Sequence, residues 1–82
     1  MKKILFSPNV RADIRAVDQK NAMRILTALD RYAKTGHGDV QVLEGDQEGL
    51  LRLRAGDYRL LFDEHEDAIM VHRVRHRREA YR

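Results

Sequence analysis

The chain has 82 residues, 43% of them apolar, which predicts one small domain spanning residues 1–82. It has no cysteine, so disulfide frameworks and thiolate metal sites are excluded. Its net charge is +3, no apolar run reaches membrane-spanning length, and the apolar part of MKKILFSPNV is too short for a secretory signal. We therefore expect a soluble, cytoplasmic protein that does not contact a membrane.

The N-terminal part of the chain predicts a strand followed by two helices. KKILFS is typical of a short strand, and Ser7-Pro8 ends it and begins a helix, with the serine as N-cap. Apolar residues at spacings of four and three mark this helix: Val10, Ile14 and Val17. A second helix is predicted from about residue 18 to residue 34, with Gly36 as its left-handed C-terminal residue.

The remainder of the chain predicts a loop and three strands. Residues 37–49 contain three glycines and several acids, which is typical of a loop. The runs LLRLR, YRLLFD and AIMVHRVR then follow, joined by AGD and EHED, both of which predict hairpin turns. The order β-α-α-β-β-β predicts an α+β fold, in which a small antiparallel sheet carries the two helices on one face.

Arginine is concentrated in this strand region. All eight basic residues of 50–82 are arginine, whereas residues 1–49 have eight basic and seven acidic side chains of mixed type. Because strand side chains alternate between faces, an apolar set that includes Met70 and His72 is expected under the helices. The arginines would then share the open face: Arg52, Arg54, Arg59, Arg73, Arg75 and Arg77.

This alternation places like charges next to each other. It permits only hairpin registers in which Arg59 lies opposite Arg52 or Arg54, and such pairs repel. The guanidinium groups could spread into water while their stems lie flat on the sheet. Their clustering on one face instead favours a bound polyanion, because arginine forms fork-shaped contacts to phosphate.

The C-terminal segment VHRVRHRREAYR extends this basic surface with five arginines, two histidines and one tyrosine. Tyr81 suits stacking on a nucleic-acid base, although a tyrosine can equally close the edge of a core. His72 is expected to be buried and hydrogen-bonded, whereas His76, at the strand end, could titrate near neutrality and act as an acid or base. The residues expected to bind RNA are Arg54, Arg73, Arg75, Arg78 and His76.

Other catalytic motifs are missing from the sequence. The histidines have no metal-ligand spacing, the glycines fit no phosphate loop, and Ser7 is the only serine. An enzyme of this composition would act by electrostatics and proton transfer on a phosphate chain. The plausible reaction is attack of an RNA 2′-OH on its neighbouring phosphate, which needs charge stabilisation and positioning but no cofactor.

The combined motifs resemble one protein family along essentially the whole chain. LLRLRAGDYRLLFD and VHRVRHRREAYR, behind FSPNVRADI and the loop Leu43-Glu44-Gly45, are similar to the RelE/ParE toxin superfamily of type II toxin–antitoxin systems, and most similar to its RelE branch. The resemblance implies a RelE-like fold and a ribosome-dependent endoribonuclease that cuts mRNA in the A site. It also implies partners: the ribosome, mRNA and a cognate antitoxin in a hetero-oligomeric complex.

The resemblance also assigns roles to four residues. Arg59 matches an arginine that stabilises the scissile phosphate, and Arg77 matches a leaving-group acid or phosphate ligand, a role for which Arg75 is a rival. Tyr81 matches a tyrosine that stacks on the nucleotide. Arg52 falls where well-known members have a lysine, and Leu50 falls on a second lysine position.

These two departures bear on the mechanism, because arginine hardly deprotonates and is a poor general base. Proton transfer would then come from His76 or Tyr81, or catalysis would rest on charge alone while the ribosome orders the substrate. mRNA cleavage ranks first among the expected functions. Inhibition of DNA gyrase, as in the ParE branch, ranks second, and a non-catalytic module that binds RNA or an antitoxin ranks third.

Overall fold

The computed structural model describes residues 2–45 and 49–78. Within them, the chain forms two helices and a five-stranded sheet: β1 (Lys3–Phe6), α1 (Pro8–Arg15), α2 (Gln19–Thr35), β2 (Val40–Val42), β3 (Leu51–Ala55), β4 (Tyr58–Glu64) and β5 (Ala68–His76). The strand order is β1-β5-β4-β3-β2. No helix among the described residues is long and apolar enough to cross a membrane.

The predicted α+β fold with two N-terminal helices is confirmed, and the local signals act as expected. The Ser7 side chain accepts a hydrogen bond from the Val10 amide, which caps α1. Asp18 caps α2 in the same way, and Gly36 ends α2 with φ of 73°. The two turns predicted between the last three strands also form, because β3, β4 and β5 are joined as antiparallel neighbours.

Two details of the sheet differ from the sequence prediction. The segment 37–49, predicted as a loop, contains β2, which pairs antiparallel to β3 at the edge of the sheet. The sheet is also mixed, because β1 pairs in parallel with β5. Because β2 is only three residues long, its alternation of side chains is too short to indicate a strand within a glycine-rich segment.

The core lies between the two helices and one face of the sheet. Its helix side chains include Val10, Ile25 and Leu29, and they pack on the apolar residues of β3, β4 and β5: Leu53, Leu60, Phe62, Ile69, Val71 and Val74. The Phe62 ring also meets Tyr32 of α2 edge to face, with ring centroids 5.5 Å apart. Among the described residues, no helix covers the opposite face of the sheet, which we call the open face.

A β-bulge in β5 alters which residues reach the core. Leu61 pairs with Arg73 and Phe62 pairs with Val71, so His72 is the extra residue between them. The predicted core positions of Met70 and His72 are therefore wrong, because the bulge reverses the alternation and turns Ile69 and Val71 to the core instead. Met70 lies on the open face beside Leu5, its partner in β1, which is 44% exposed.

A polar cluster ties the end of β4 to the helix layer. Glu64 accepts hydrogen bonds from Lys2 Nζ and from the Tyr32 hydroxyl, both at 2.5 Å. The Lys2 contact, followed by the Tyr32 contact, lowers the pKa of Glu64 below its ordinary 4.5. Burial, assisted by Glu64, raises the pKa of Tyr32 to about 12.

This cluster predicts part of the pH dependence of stability. A lowered native pKa means that Glu64 contributes stability above pH 4.5, its ordinary pKa, and that this contribution is lost as the pH falls through the native value. We expect Glu64→Gln to cost about 1 kcal/mol or less at neutral pH and to flatten the acid limb of the stability curve. Urea midpoints measured at neutral pH and below pH 4.5 test this. Glu66→Gln, an exposed residue in the next turn, is the matched control, and equal acid limbs in wild type and Glu64→Gln would contradict the assignment.

Candidate functional site

Three arginines from adjacent strands lie directly across from one another on the open face of the sheet. Arg54 of β3 pairs with Arg59 of β4, and Arg59 pairs with Arg75 of β5. We call these residues the arginine row. The hairpin register that puts Arg59 opposite Arg54 is one of the two that the sequence allowed, and β5 adds a third like charge. Each such contact is repulsive in the absence of an anion.

A second line of side chains lies beside the arginine row on the same face. Gln41 pairs with Arg52, Arg52 with Leu61, and Leu61 with Arg73. The Arg52 Nη2 donates to Gln41 Oε1 at 2.5 Å, whereas Arg73 is exposed. Leu61 is 9% exposed and lies outside the main core cluster. The open face therefore combines guanidinium groups with a central apolar position.

Arg59 is the buried member of the arginine row, with only 7% of its surface exposed. Its Nη1 donates to the carbonyl oxygens of Gly56 and Tyr58 at 3.1 and 3.0 Å, so the guanidinium lies against the β3–β4 turn. Its Nε is buried without a hydrogen-bond partner. No carboxylate of the described residues pairs with it. A buried cation held only by neutral carbonyls, beside two further cations, is a strong attractor for an anion.

Arg75, at one end of the arginine row, is held by an acid from the helix layer. Its Nη1 lies 3.4 Å from Asp13 Oδ1, and the other oxygen of Asp13 accepts the Val74 amide at 3.2 Å. Asp13 thus caps β5 beyond the point where β1 ends at Phe6. No sequence signal assigned Asp13 a role, because nothing local indicates that this helix lies against the edge of β5.

The residues after β5 lie near the β3–β4 turn. The Arg77 amide donates to the Asp57 carbonyl at 2.7 Å, and its Nε lies 4.0 Å from Asp57 Oδ1, with both side chains largely exposed. Arg77 therefore sits at the same end of the sheet as the Arg59 guanidinium. Arg78 is exposed, and its amide donates to Nδ1 of His76 at 3.3 Å. Tyr81, the predicted base-stacking residue, lies outside the described residues.

His76 is placed away from the arginine row. It pairs with Tyr58, whose side chain packs against the core on the helix-covered face. The two rings meet edge to face, with centroids 5.3 Å apart. His76 and Arg75, although adjacent in sequence, thus lie on opposite faces of β5.

A separate polar group lies at the far end of the open face. Asp63 contacts Nε2 of His72 at 3.0 Å and Nε2 of His65 at 3.1 Å. The His72 hydrogen bond is the main cause of the lowered pKa of Asp63, although burial opposes it. His72 is therefore hydrogen-bonded as predicted, but it is half-buried on the bulge, and the prediction that it lies buried in the core is wrong.

Comparisons with known proteins agree on the kind of molecule. The sequence model of the ParE toxin of type II toxin–antitoxin systems matches residues 4–81. No curated protein matches the chain. Among solved structures, the archaeal RelE–RelB complex from Pyrococcus horikoshii has a chain with a TM-score of 0.77 at 23% identity, covering 96% of this chain and 98% of that one.

Two further structures have the same fold. In the RelB–RelE antitoxin–toxin complex from Methanococcus jannaschii, the similar chain has a TM-score of 0.75 at 23% identity, with 94% of each chain covered. In the YoeB–YefM complex from Staphylococcus aureus, the values are 0.76 and 19%, with 93% of this chain and 97% of that chain covered. At identities this low, the structural similarity establishes a shared fold and nothing more.

Proposed function

The chain belongs to the ParE toxin family of type II toxin–antitoxin systems, and from this premise we propose that it is a toxin that cuts ribosome-bound mRNA in the cytoplasm. The arginine-rich open face is the proposed RNA surface. Support comes from two sides: the resemblance of the strand and tail motifs to the RelE branch, and the location of Arg54, Arg59 and Arg75 side by side on the open face of the sheet.

The observation that carries the proposal is the state of Arg59. Only 7% of its surface is exposed, and it has no acidic partner among the described residues. Selection for stability alone would not favour a buried cation between two other cations. A phosphate bound by the arginine row would supply the missing negative charge, with fork-shaped hydrogen bonds to more than one guanidinium.

The proposed reaction is attack of a ribose 2′-OH on the adjacent phosphate. The oxygen–phosphorus bond that forms closes a 2′,3′-cyclic phosphate while the 2′-OH proton passes to solvent. The bond that breaks releases the 5′-oxygen of the next nucleotide, which takes up a proton from solvent. Negative charge increases on the phosphoryl oxygens in the transition state. The arginine row, with Arg59 at its centre, would stabilise that charge.

The other proposed roles follow the family pattern. Arg77 would contact the leaving group or the phosphate, and Tyr81 would stack on the nucleotide. Arg52 would add positive charge where relatives have a lysine. His76 lies on the opposite face of the sheet from Arg59, which leaves Tyr81 or charge alone to replace the lysines of relatives. We propose that catalysis rests on charge and positioning, with the ribosome ordering the substrate.

Translating ribosomes provide the test of this function. Addition of the purified protein should produce mRNA breaks within A-site codons, because the ribosome presents single-stranded message to the arginine row. Primer extension on the recovered message maps the breaks. Intact message in cells whose growth the protein has stopped would contradict mRNA cleavage.

The alternative function is inhibition of DNA gyrase, which the match to the ParE toxin model favours. The same purified protein should then block supercoiling of relaxed plasmid by gyrase. Supercoiling at the normal rate, together with A-site breaks, would exclude this alternative. Blocked supercoiling with intact message would replace the proposal by it.

We also propose that a cognate antitoxin binds the toxin in a hetero-oligomer, as the structures of RelE with RelB and of YoeB with YefM show for those proteins. A groove of about 570 Å³ between α2 and β3 has an apolar floor that includes Leu53 and Ala55, and Arg24 and Arg31 lie on its α2 side. This chemistry fits an acidic amphipathic segment.

A further inference from the structure

A second cavity lies where the C-terminal end of α1 meets the end of β5. It has a volume of about 230 Å³, and its lining includes Asp13, Tyr58, Val74, Arg75 and His76. Pockets for whole drug-sized ligands are about 300–1,000 Å³. The space is therefore too small for a complete nucleotide but is suitable for one flat ring system. None of the functions proposed above uses it.

The polar wall of this cavity is a fixed carboxylate beside a fixed guanidinium. The Asp13 side chain is 18% exposed and that of Arg75 is 31% exposed. Oδ2 of Asp13 accepts from the Val74 amide and Oδ1 lies near Arg75 Nη1, so both oxygens are oriented before any ligand arrives. A carboxylate has about four lone-pair sites, and two remain for further donors. The carboxylate also makes the cavity unfavourable for phosphate, because like charges repel.

The opposite wall is aromatic. Tyr58 and His76 meet edge to face at 5.3 Å, with an interplanar angle of 88°, so one ring can offer its face to a flat ligand while the other closes the end. Nucleobases are flat rings that carry both hydrogen-bond donors and acceptors on one edge. Such bases are recognised in proteins by stacking on aromatic rings and by polar contacts to their edges.

We propose that this cavity binds the base of one RNA nucleotide and prefers guanine. Guanine presents two adjacent N–H donors, at N1 and N2, that match the oriented Asp13 carboxylate. It also carries the O6 and N7 acceptors, to which arginine characteristically donates in pairs. Adenine lacks the paired donors, and cytosine offers a single amino group to the carboxylate. The cavity thereby distinguishes guanine from the other bases by the donor pattern of its edge.

The position of Arg75 connects this cavity to the proposed cleavage site. Arg75 ends the arginine row opposite Arg59 and also lines the cavity. A phosphate on the row and a base in the cavity would therefore both contact Arg75. This inference rests on the proposed function in that the base belongs to the mRNA being cut, and it deepens that function by assigning a base preference.

Nucleotide binding to the full-length toxin alone tests the inference without ribosomes or cleavage. We expect guanosine 5′-monophosphate to bind about tenfold more tightly than adenosine 5′-monophosphate. NMR titration should place the base-specific shifts at the amides of Ala16, Val74 and His76. The two nucleotides carry the same phosphate, so a difference between them reports the base. Because the measurement is of nucleotide binding, it can be interpreted even if the toxin does not cut mRNA.

Replacement of an acceptor by a donor at Asp13 predicts a gain of binding to a second nucleotide. Loss of folding cannot produce such a gain. Asp13→Asn keeps an oxygen for the Val74 amide but replaces an acceptor by a donor. Xanthine carries a carbonyl where guanine carries its amino group, so the variant should lose the guanosine preference and bind xanthosine 5′-monophosphate more tightly than wild type does. Asp30→Asn, which alters a half-exposed acid paired with Lys34 on α2, should behave as wild type.

Three results would overturn the inference. The first is equal binding of the guanosine and adenosine nucleotides by wild type. The second is base-specific shifts that fall outside the cavity. The third is an Asp13→Asn variant that is folded, as judged by its spectrum, and retains the guanosine preference.

Discussion

Replacement of Arg59 by alanine is expected to lower the rate of mRNA cleavage on ribosomes by about 10²- to 10³-fold, the loss that follows removal of one preorganised donor to a developing oxyanion. Arg59 lies at the centre of the arginine row and has no carboxylate partner among the described residues, so its positive charge is uncompensated and would stabilise a phosphate bound on the row. Cells that express the variant should therefore grow. Cleavage assays with purified ribosomes measure the loss directly.

A second substitution at the same position separates a functional role from a structural one. Arg59→Met keeps a stem of similar length but removes the buried charge and the repulsion from Arg54 and Arg75. Its free energy of unfolding should stay within about 1 kcal/mol of wild type, while cleavage falls as in Arg59→Ala. Antitoxin binding should persist, because the groove beside α2 does not include Arg59. Arg11→Ala, an exposed arginine on α1, is the control for general charge loss. Full toxicity of both Arg59 variants would show that the arginine row is not the working site.

The face on which the arginines lie was predictable from the sequence because it depends on strand alternation. Leu53 and Leu60 alternate with Arg52, Arg54 and Arg59, and a two-faced strand allows few registers for such a pattern. With the glycine turn between the two strands, Arg59 could pair only with Arg52 or Arg54. The structure selects Arg54.

The features that the sequence did not reveal depend on contacts between distant segments. The bulge at His72 arises from the pairing of β4 with β5, and AIMVHRVR carries no glycine or proline to mark it. The contact of Asp13 with Arg75 joins residues 62 positions apart. The burial of Arg59 likewise depends on how the guanidinium folds back on the β3–β4 turn. These contacts turn a basic surface into a site with one buried cation at its centre.

His76 illustrates how placement refines a chemical hypothesis. From the sequence, it was one of two side chains able to supply proton transfer to make up for Arg52 and Leu50, which stand where relatives have lysines. The structure puts it on the helix-covered face against Tyr58. Its aromatic surroundings and the nearby Asp13 suit recognition of a base. The proposal of charge-based catalysis on one face and base selection at the sheet edge follows from this separation.

The central claim is that the arginine row acts on an RNA backbone whose own 2′-OH is the nucleophile. The most direct measurement is cleavage of a ribosome-bound mRNA in which the nucleotide on the 5′ side of the mapped break lacks its 2′-OH. Cleavage at that position should fall to background, because the attacking oxygen is gone, whereas the same deletion one nucleotide further along the message should leave the original break unchanged. Undiminished cleavage of the first message would contradict the account.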